Sequence, residues 1–171
     1  FQTKSGLLTV RKDGEWITMN FPADHAKKIE LSFDMRESLR MEPTEVYQGR
    51  LDFLAVFPSQ SDVLALNPDF VLMKKLGKRG VIVTAKGYDV DFVSRYFAPN
   101  AGINEDPVTG SAHCVLVPYW SDVLKKTELT ARQVSQRGGF LKCKLLDDRV
   151  EMSGRAATYL AGEVFIAETK S

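Results

Sequence analysis

Apolar and polar positions change period several times along the chain, and the changes divide it into elements. Residues 6–22 alternate with period two around Asp13-Gly14. This predicts a β-hairpin, because a two-residue loop with positive φ at both central positions favours Asp-Gly. The implied register pairs Lys12 with Glu15, Arg11 with Trp16, Val10 with Ile17 and Leu8 with Met19, opposing unlike charges and gathering apolar side chains on one face. A lone hairpin is marginal in water, so this one must dock on a sheet; Pro22 ends it. Residues 24–39 read as helical or irregular, and 45–48 and 51–57 as strands. Asn67-Pro68 supplies an N-cap and a first-turn proline for a helix through Leu76, followed by Gly77 at its C-terminal end. Residues 80–85 form a short β-branched strand of the buried kind, and 92–97 another, closed by Ala98-Pro99. Further strands are expected at 132–136, at 140–146 and 149–152 across an Asp147-Asp148 turn, and at 159–167.

Residues 111–124 stand apart. Ala112, Cys114, Val115, Leu116, Val117, Tyr119, Trp120, Val123 and Leu124 leave no polar face, and a helix apolar all round belongs in a core. Pro118 removes one helical bond and clashes with the carbonyl of Cys114, which predicts a kink. Strands outnumber helices in mixed order, without repeats or low-complexity linkers, so the fold class is α+β with a mixed or mostly antiparallel sheet.

Composition narrows the partners. Twenty-three basic against 22 acidic residues leave a net charge of +1, and nothing predicts a nucleic-acid partner. No apolar run approaches the roughly 20 residues that span a bilayer, and no membrane partner or signal segment is expected. Cys114 and Cys143 form no CxxC pair and point to a reducing, cytoplasmic setting. His25 and His113 lie far apart, so no histidine metal site is expected. The chain starts at Phe1 inside structure, which raises the expectation of an upstream segment.

The candidate chemistry lies just before the apolar helix. Asp106-Pro107 forces an extended or turn conformation at the aspartate. Thr109, Gly110 and Ser111 sit where the chain turns into the helix, and small residues there leave backbone N–H groups open toward an anion. Asp106, just outside that N-terminus, could take or give a proton. The same residues also suit a plain N-cap and turn. His113, one turn in, suits either a structural or a ligand-facing role.

Ser94-Arg95-Tyr96-Phe97-Ala98-Pro99, then Glu105-Asp106-Pro107-Val108-Thr109-Gly110-Ser111-Ala112 with His113 and Tyr119-Trp120, resembles the second signature of the phenazine-biosynthesis F-type isomerase family, relatives of diaminopimelate epimerase. The similarity extends from Thr3-Lys4-Ser5-Gly6-Leu7 and Met19-Asn20-Phe21-Pro22 to Gln136-Arg137-Gly138-Gly139 and Ser153-Gly154-Arg155. The resemblance implies two epimerase-like halves, each a curved mixed or antiparallel sheet wrapped round a central apolar helix, with the active site in the cleft between them. Residues 1–22 would be the terminal hairpin of an N-terminal half, and 23–171 the C-terminal half-domain. Asp106 would be catalytic, and Thr109, Gly110, Ser111 and His113 would bind a small carboxylated substrate. No metal or cofactor is implied, and there is room for a homodimer. Where the epimerases carry a catalytic cysteine, this chain has Asp106; Cys114 lies too far into the helix to substitute, which disfavours a thiol-based racemase. The glutamate motif and Gly-His-Ala segment of the family's first half are absent, so the chain alone is expected to be inactive. Two readings follow: an isomerase that abstracts and returns a proton, or a non-catalytic binding or scaffold protein that keeps the fold.

Overall fold

A computed structural model describes residues 2–3 and 6–163. Its elements in chain order are β1 Gln2–Thr3, β2 Gly6–Leu7, β3 Thr9–Asp13, β4 Trp16–Pro22, β5 Lys27–Ile29, α1 Phe33–Leu39, β6 Glu45–Gln48, β7 Asp52–Val56, α2 Gln60–Ala65, α3 Phe70–Lys74, β8 Gly80–Lys86, β9 Phe92–Phe97, α4 Gly110–Leu124, β10 Glu128–Gln133, β11 Gly139–Leu146 and β12 Arg149–Arg155. A single 3₁₀ turn, Pro99–Ala101, lies between β9 and α4.

Strands β3–β12 form one sheet in the order β3-β4-β12-β11-β10-β9-β8-β7-β6-β5, mixed because β7–β8 and β9–β10 pair parallel. The connection between β4 and β5 shows that this sheet is curved. The two strands stand eight places apart, which at about 4.8 Å per strand is roughly 38 Å if flat. Only residues 23–26 join them, a reach of at most about 19 Å at 3.8 Å per Cα step. The sheet therefore bends until its two ends approach.

Period-two alternation divides the apolar residues between the faces of the sheet. Leu54, Val56, Ile82, Phe92 and Tyr96 point to α4 and share one core with Leu129, Ala131, Leu141, Cys143, Val150 and Met152. Ala55, Val81, Val83, Val93 and Phe97 point the other way and are covered by α1, α2 and α3 through Met35, Leu39, Val63 and Met73. The expected core helix is α4: Val115, Leu116 and Trp120 are all buried. Trp120 stacks on Phe92 with ring centroids 5.8 Å apart and donates its indole N–H to Thr84 Oγ1 at 2.9 Å. Helix α4 runs through Pro118 as one span. The Cys114 carbonyl, which a residue other than proline at 118 would bond, instead accepts the Asp24 amide at 2.9 Å.

Several elements differ from the sequence reading. The hairpin turns at Gly14-Glu15, not Asp13-Gly14, pairing Asp13 with Trp16, Lys12 with Ile17, Arg11 with Thr18 and Val10 with Met19. Of the loop residues only Gly14 has positive φ, at 57°, the glycine-first arrangement of a type II′ loop rather than a type I′ one. The two-residue shift leaves every side chain on its expected face. The hairpin docks on the sheet through β4, which pairs with β12 from Pro22↔Arg149 to Trp16↔Arg155. Residues 24–39 hold a short edge strand as well as a helix, and α2 stands where none was expected. Helix α3 starts later than Asn67-Pro68 because Asp69 is the cap, accepting from the amides of Val71 and Leu72 at 3.0 and 3.1 Å. Strand β10 spans 128–133 instead of 132–136. In the strand expected at 159–167, residues 159–163 have no strand structure, and the remainder lies outside the described residues.

Candidate functional site

The loop between β9 and α4 is held from both sides of its aspartate. The Asp106 amide donates to the Tyr96 carbonyl at 3.0 Å, so the loop folds back there onto the end of β9. The neighbouring Glu105 is tied to Arg95 by a two-pronged pair, Nε to Oε1 at 2.7 Å and Nη2 to Oε2 at 3.0 Å. Arg95 in turn lies over Phe97 and donates to the carbonyls of Leu66 and Val63 at 2.8 and 3.1 Å. Glu105 is thus bound into the α2 side, leaving Asp106 as the carboxylate at the start of α4.

Thr109 is the N-cap residue of α4, yet its side chain caps nothing. Its hydroxyl donates to Asp106 Oδ2, and the helix's first amides are left open. Among the described residues, no protein group accepts from the amides of Gly110 and Ser111. Gln133, buried at the end of β10, clamps this turn: its Oε1 accepts from the Thr109 amide at 2.8 Å, and its Nε2 donates to the Asp106 carbonyl at 2.7 Å and to Thr109 Oγ1 at 3.1 Å. Ser135 adds a second strap, its hydroxyl donating to the Pro107 carbonyl at 2.7 Å and accepting the Gly138 amide at 3.0 Å. The loop beneath fits against Val108 so closely that a Cβ at Gly139 would lie 2.5 Å from Val108 Cγ2.

A partly buried ion pair supports the other flank. Asp52, 2% exposed, receives Arg79 Nε on Oδ1 at 3.0 Å, Arg79 Nη2 on Oδ2, and the Tyr96 hydroxyl on Oδ1 at 2.8 Å. Burial, and then the adjacent carboxylate, hold the Tyr96 hydroxyl well above its ordinary pKa, so it remains a donor. The hydrogen bond to Asp52 raises the pKa of Arg79. Arg79 Nη2 also donates to Ser111 Oγ at 2.9 Å, which places a guanidinium beside the start of the helix. On the opposite side an open cleft of about 1010 Å³ reaches Gly110; Met19, Val108, Met152 and the Gly138-Gly139 turn line it.

The structure therefore brings Asp106, Thr109, Gly110 and Ser111 together, but not His113. His113 has no exposed surface. Its Nδ1 lies 2.8 Å from the Thr109 carbonyl, and its Nε2 has no partner. Burial lowers its pKa to about 4, with the Thr109 carbonyl opposing only in part. The expected substrate contact is thus replaced by a core position behind the helix start, because the fourth residue of α4 faces Phe92 at 6.1 Å. Burial pushes the Cys114 thiol up to about 11 and the Cys143 thiol up to about 12, leaving both as neutral core groups. Sequence reasoning missed Gln133, Asp52 and Arg79. Gln133 had a usable signal, since β10 alternates Leu129, Ala131, Gln133 on its buried face, and a carboxamide there needs partners. Among the described residues no group of three or more His, Cys, Asp or Glu could hold a metal ion, and no helix is long and apolar enough to cross a membrane.

Residues 1–162 match the family described as phenazine biosynthesis-like protein. An uncharacterized isomerase of Halalkalibacterium halodurans is 45% identical over 169 residues, covering 97% of this chain and 64% of the relative. A phenazine biosynthesis-like domain-containing protein of Bos taurus is 38% identical over 183 residues, covering 95% of this chain and 63% of the relative. The crystal structure of a phenazine biosynthesis protein of the PhzF family from Enterococcus faecalis superposes with a TM-score of 0.89 at 42% identity, covering 97% of this chain and 64% of that one. The chain thus spans a little under two thirds of the length of these relatives.

Proposed function

Because the chain belongs to the phenazine biosynthesis-like protein family, we propose that the protein is an isomerase that moves a proton within a small carboxylated metabolite without a cofactor. In this reading the chain supplies one wall of the cleft, and a preceding half-domain supplies the other. The fold is read as epimerase-like, with the sheet wrapped round α4; contacts between α4 and strands from β7 to β12 support that. One observation carries the functional reading: a carboxylate, Asp106, stands beside a helix start whose first amides are open and whose flank holds a guanidinium. The amides of Gly110 and Ser111 would hold the substrate carboxylate, favoured by the helix dipole. Asp106 would then take the proton from a neighbouring carbon or deliver it to the carbon where it ends up. The proton leaves one carbon and returns to another in the same molecule, so no oxidant or leaving group is needed.

The test uses the protein in its full natural length with a panel of small unsaturated and hydroxylated carboxylic acids in deuterated water. An isomerase incorporates solvent deuterium at carbon in at least one of them. Asp106→Asn keeps the shape, removes the charge and should lower the rate by about 10²–10⁴-fold, the scale of one acid–base group. Glu105→Gln should leave that chemistry in place, because Glu105 faces Arg95. Near-normal turnover of Asp106→Asn alongside an inactive Glu105→Gln would reassign the carboxylate. Absence of incorporation across the panel would favour a binding protein.

A further inference from the structure

Hydrogen-bond chemistry around Gln133 determines where the protons of this site lie. The carboxamide of a glutamine can be turned either way in a structure, but here two backbone groups fix it. The Thr109 amide can only donate, so the atom facing it at 2.8 Å is Oε1. The Asp106 carbonyl can only accept, so the atom facing it at 2.7 Å is Nε2. Nε2 carries two hydrogens. One goes to that carbonyl and the other to Thr109 Oγ1 at 3.1 Å. The Thr109 hydroxyl is therefore an acceptor from Gln133, and its single hydrogen must go elsewhere. Its other partner is Asp106 Oδ2. Oδ2 then receives a hydrogen, and because the hydroxyl oxygen of a protonated carboxyl is a weaker acceptor than its carbonyl oxygen, this bond favours Oδ1 as the oxygen that carries a proton. Asp106 Oδ1 has no hydrogen-bond partner among the described residues.

We propose that Gln133 is a positioning residue: through Thr109 it fixes Asp106 Oδ2 as a permanent hydrogen-bond acceptor and leaves Oδ1 as the oxygen that exchanges a proton with the substrate. The part concerning substrate rests on the isomerase reading above; the proton positions do not. Gln133 touches no substrate in this scheme. It acts from within β10, 1% exposed, by removing the freedom of one hydroxyl. The same clamp holds the Asp106 carbonyl and the Thr109 amide, so the direction of the carboxylate and the start of α4 are set by one side chain.

Neutron diffraction from deuterium-exchanged crystals of the full-length protein reads the hydrogens directly. The expected map has a deuteron on Thr109 Oγ1 directed at Asp106 Oδ2, and two on Gln133 Nε2. A deuteron on Oδ2, or a Thr109 hydroxyl directed at Gln133, overturns the proposal whatever the protein catalyses. The functional arm pairs Gln133→Glu with Thr109→Val. Gln133→Glu keeps an acceptor for the Thr109 amide but loses both donors; Thr109→Val removes the hydroxyl alone. Each should slow deuterium incorporation by up to about 10²-fold, the scale of a small misplacement of a reacting group. The double variant should be no slower than the slower single one, because both break the same relay. Multiplying effects would refute the relay even if the map agreed. If no carboxylate in the panel incorporates deuterium, the isomerase reading fails while the neutron map still decides the proton positions.

Discussion

Acid should weaken this fold through His113. The Thr109 carbonyl accepts only, so Nδ1 carries the hydrogen of the neutral ring and Nε2 is left as an unpartnered acceptor in the core. Protonation would put a charge at Nε2, beside Phe92 and without a counter-ion. That is why burial lowers the folded-state pKa from 6.5 to about 4. In the unfolded chain the same ring protonates at its ordinary value. Between these limits the unfolded state binds more protons, so stability rises with pH across this window. The contribution is fully present above about pH 6.5 and is lost as pH falls through about 4. At 1.36 kcal/mol per pKa unit, a shift of about 2.5 units is worth roughly 3 kcal/mol, a sizeable share of the 5–15 kcal/mol typical of a domain. The assay is urea unfolding of the full-length protein from pH 7.5 to 4, compared with His113→Asn, whose side-chain amide can still donate to the Thr109 carbonyl but does not titrate. The slope of stability against pH should flatten by about one proton in the variant. Equal slopes, or a ring that titrates near 6.5 by NMR, would refute the buried neutral assignment and return His113 to the cleft.

Two further outcomes concern packing. Trp120→Ala should cost about 3–5 kcal/mol, since it removes a large core side chain together with its stack on Phe92 and its bond to Thr84; equilibrium unfolding showing under about 1 kcal/mol would contradict the core position. Gly139→Ala should cost about 1–3 kcal/mol because Val108 has a stiff side chain that cannot yield easily, and adding Val108→Ala should recover part of the loss in the same measurement.

The elements that sequence located best are those with local marks at both ends. Strands β6 and β9 match their expected limits to the residue, and α4 differs from its expected start by one, because glycine, proline and polar residues bound uninterrupted patterns there. Helix α2 escaped because six residues with a single buried one, Val63, present too short a stripe to show periodicity. The hairpin loop was misplaced by one residue because Asp13-Gly14 and Gly14-Glu15 are both acceptable glycine turns, and the choice lies in backbone φ. At the site, Asp106, Thr109 and Ser111 are legible because they lie within one short string. Gln133 meets Thr109 across 24 positions and Arg79 meets Ser111 across 32, and such partnerships exist only once the sheet and α4 have packed together. His113 shares that string, yet the sequence does not specify which way the first turn of α4 faces.

Pro118 ordinarily counts as a weakness in a helix. Here the hydrogen it lacks leaves the Cys114 carbonyl available to the Asp24 amide, in the short bridge between β4 and β5, and the adjacent Ala23 amide bonds the Asp148 carbonyl at 2.7 Å. Helix, bridge and the β11–β12 turn are thereby tethered at one point. Sliding or rotating α4 would strain that tether, so the helix is mechanically indexed to the sheet one turn below Gly110 and Ser111. The fixed height of those amides over the cleft is then supplied by a residue that, in an isolated helix, would have loosened it.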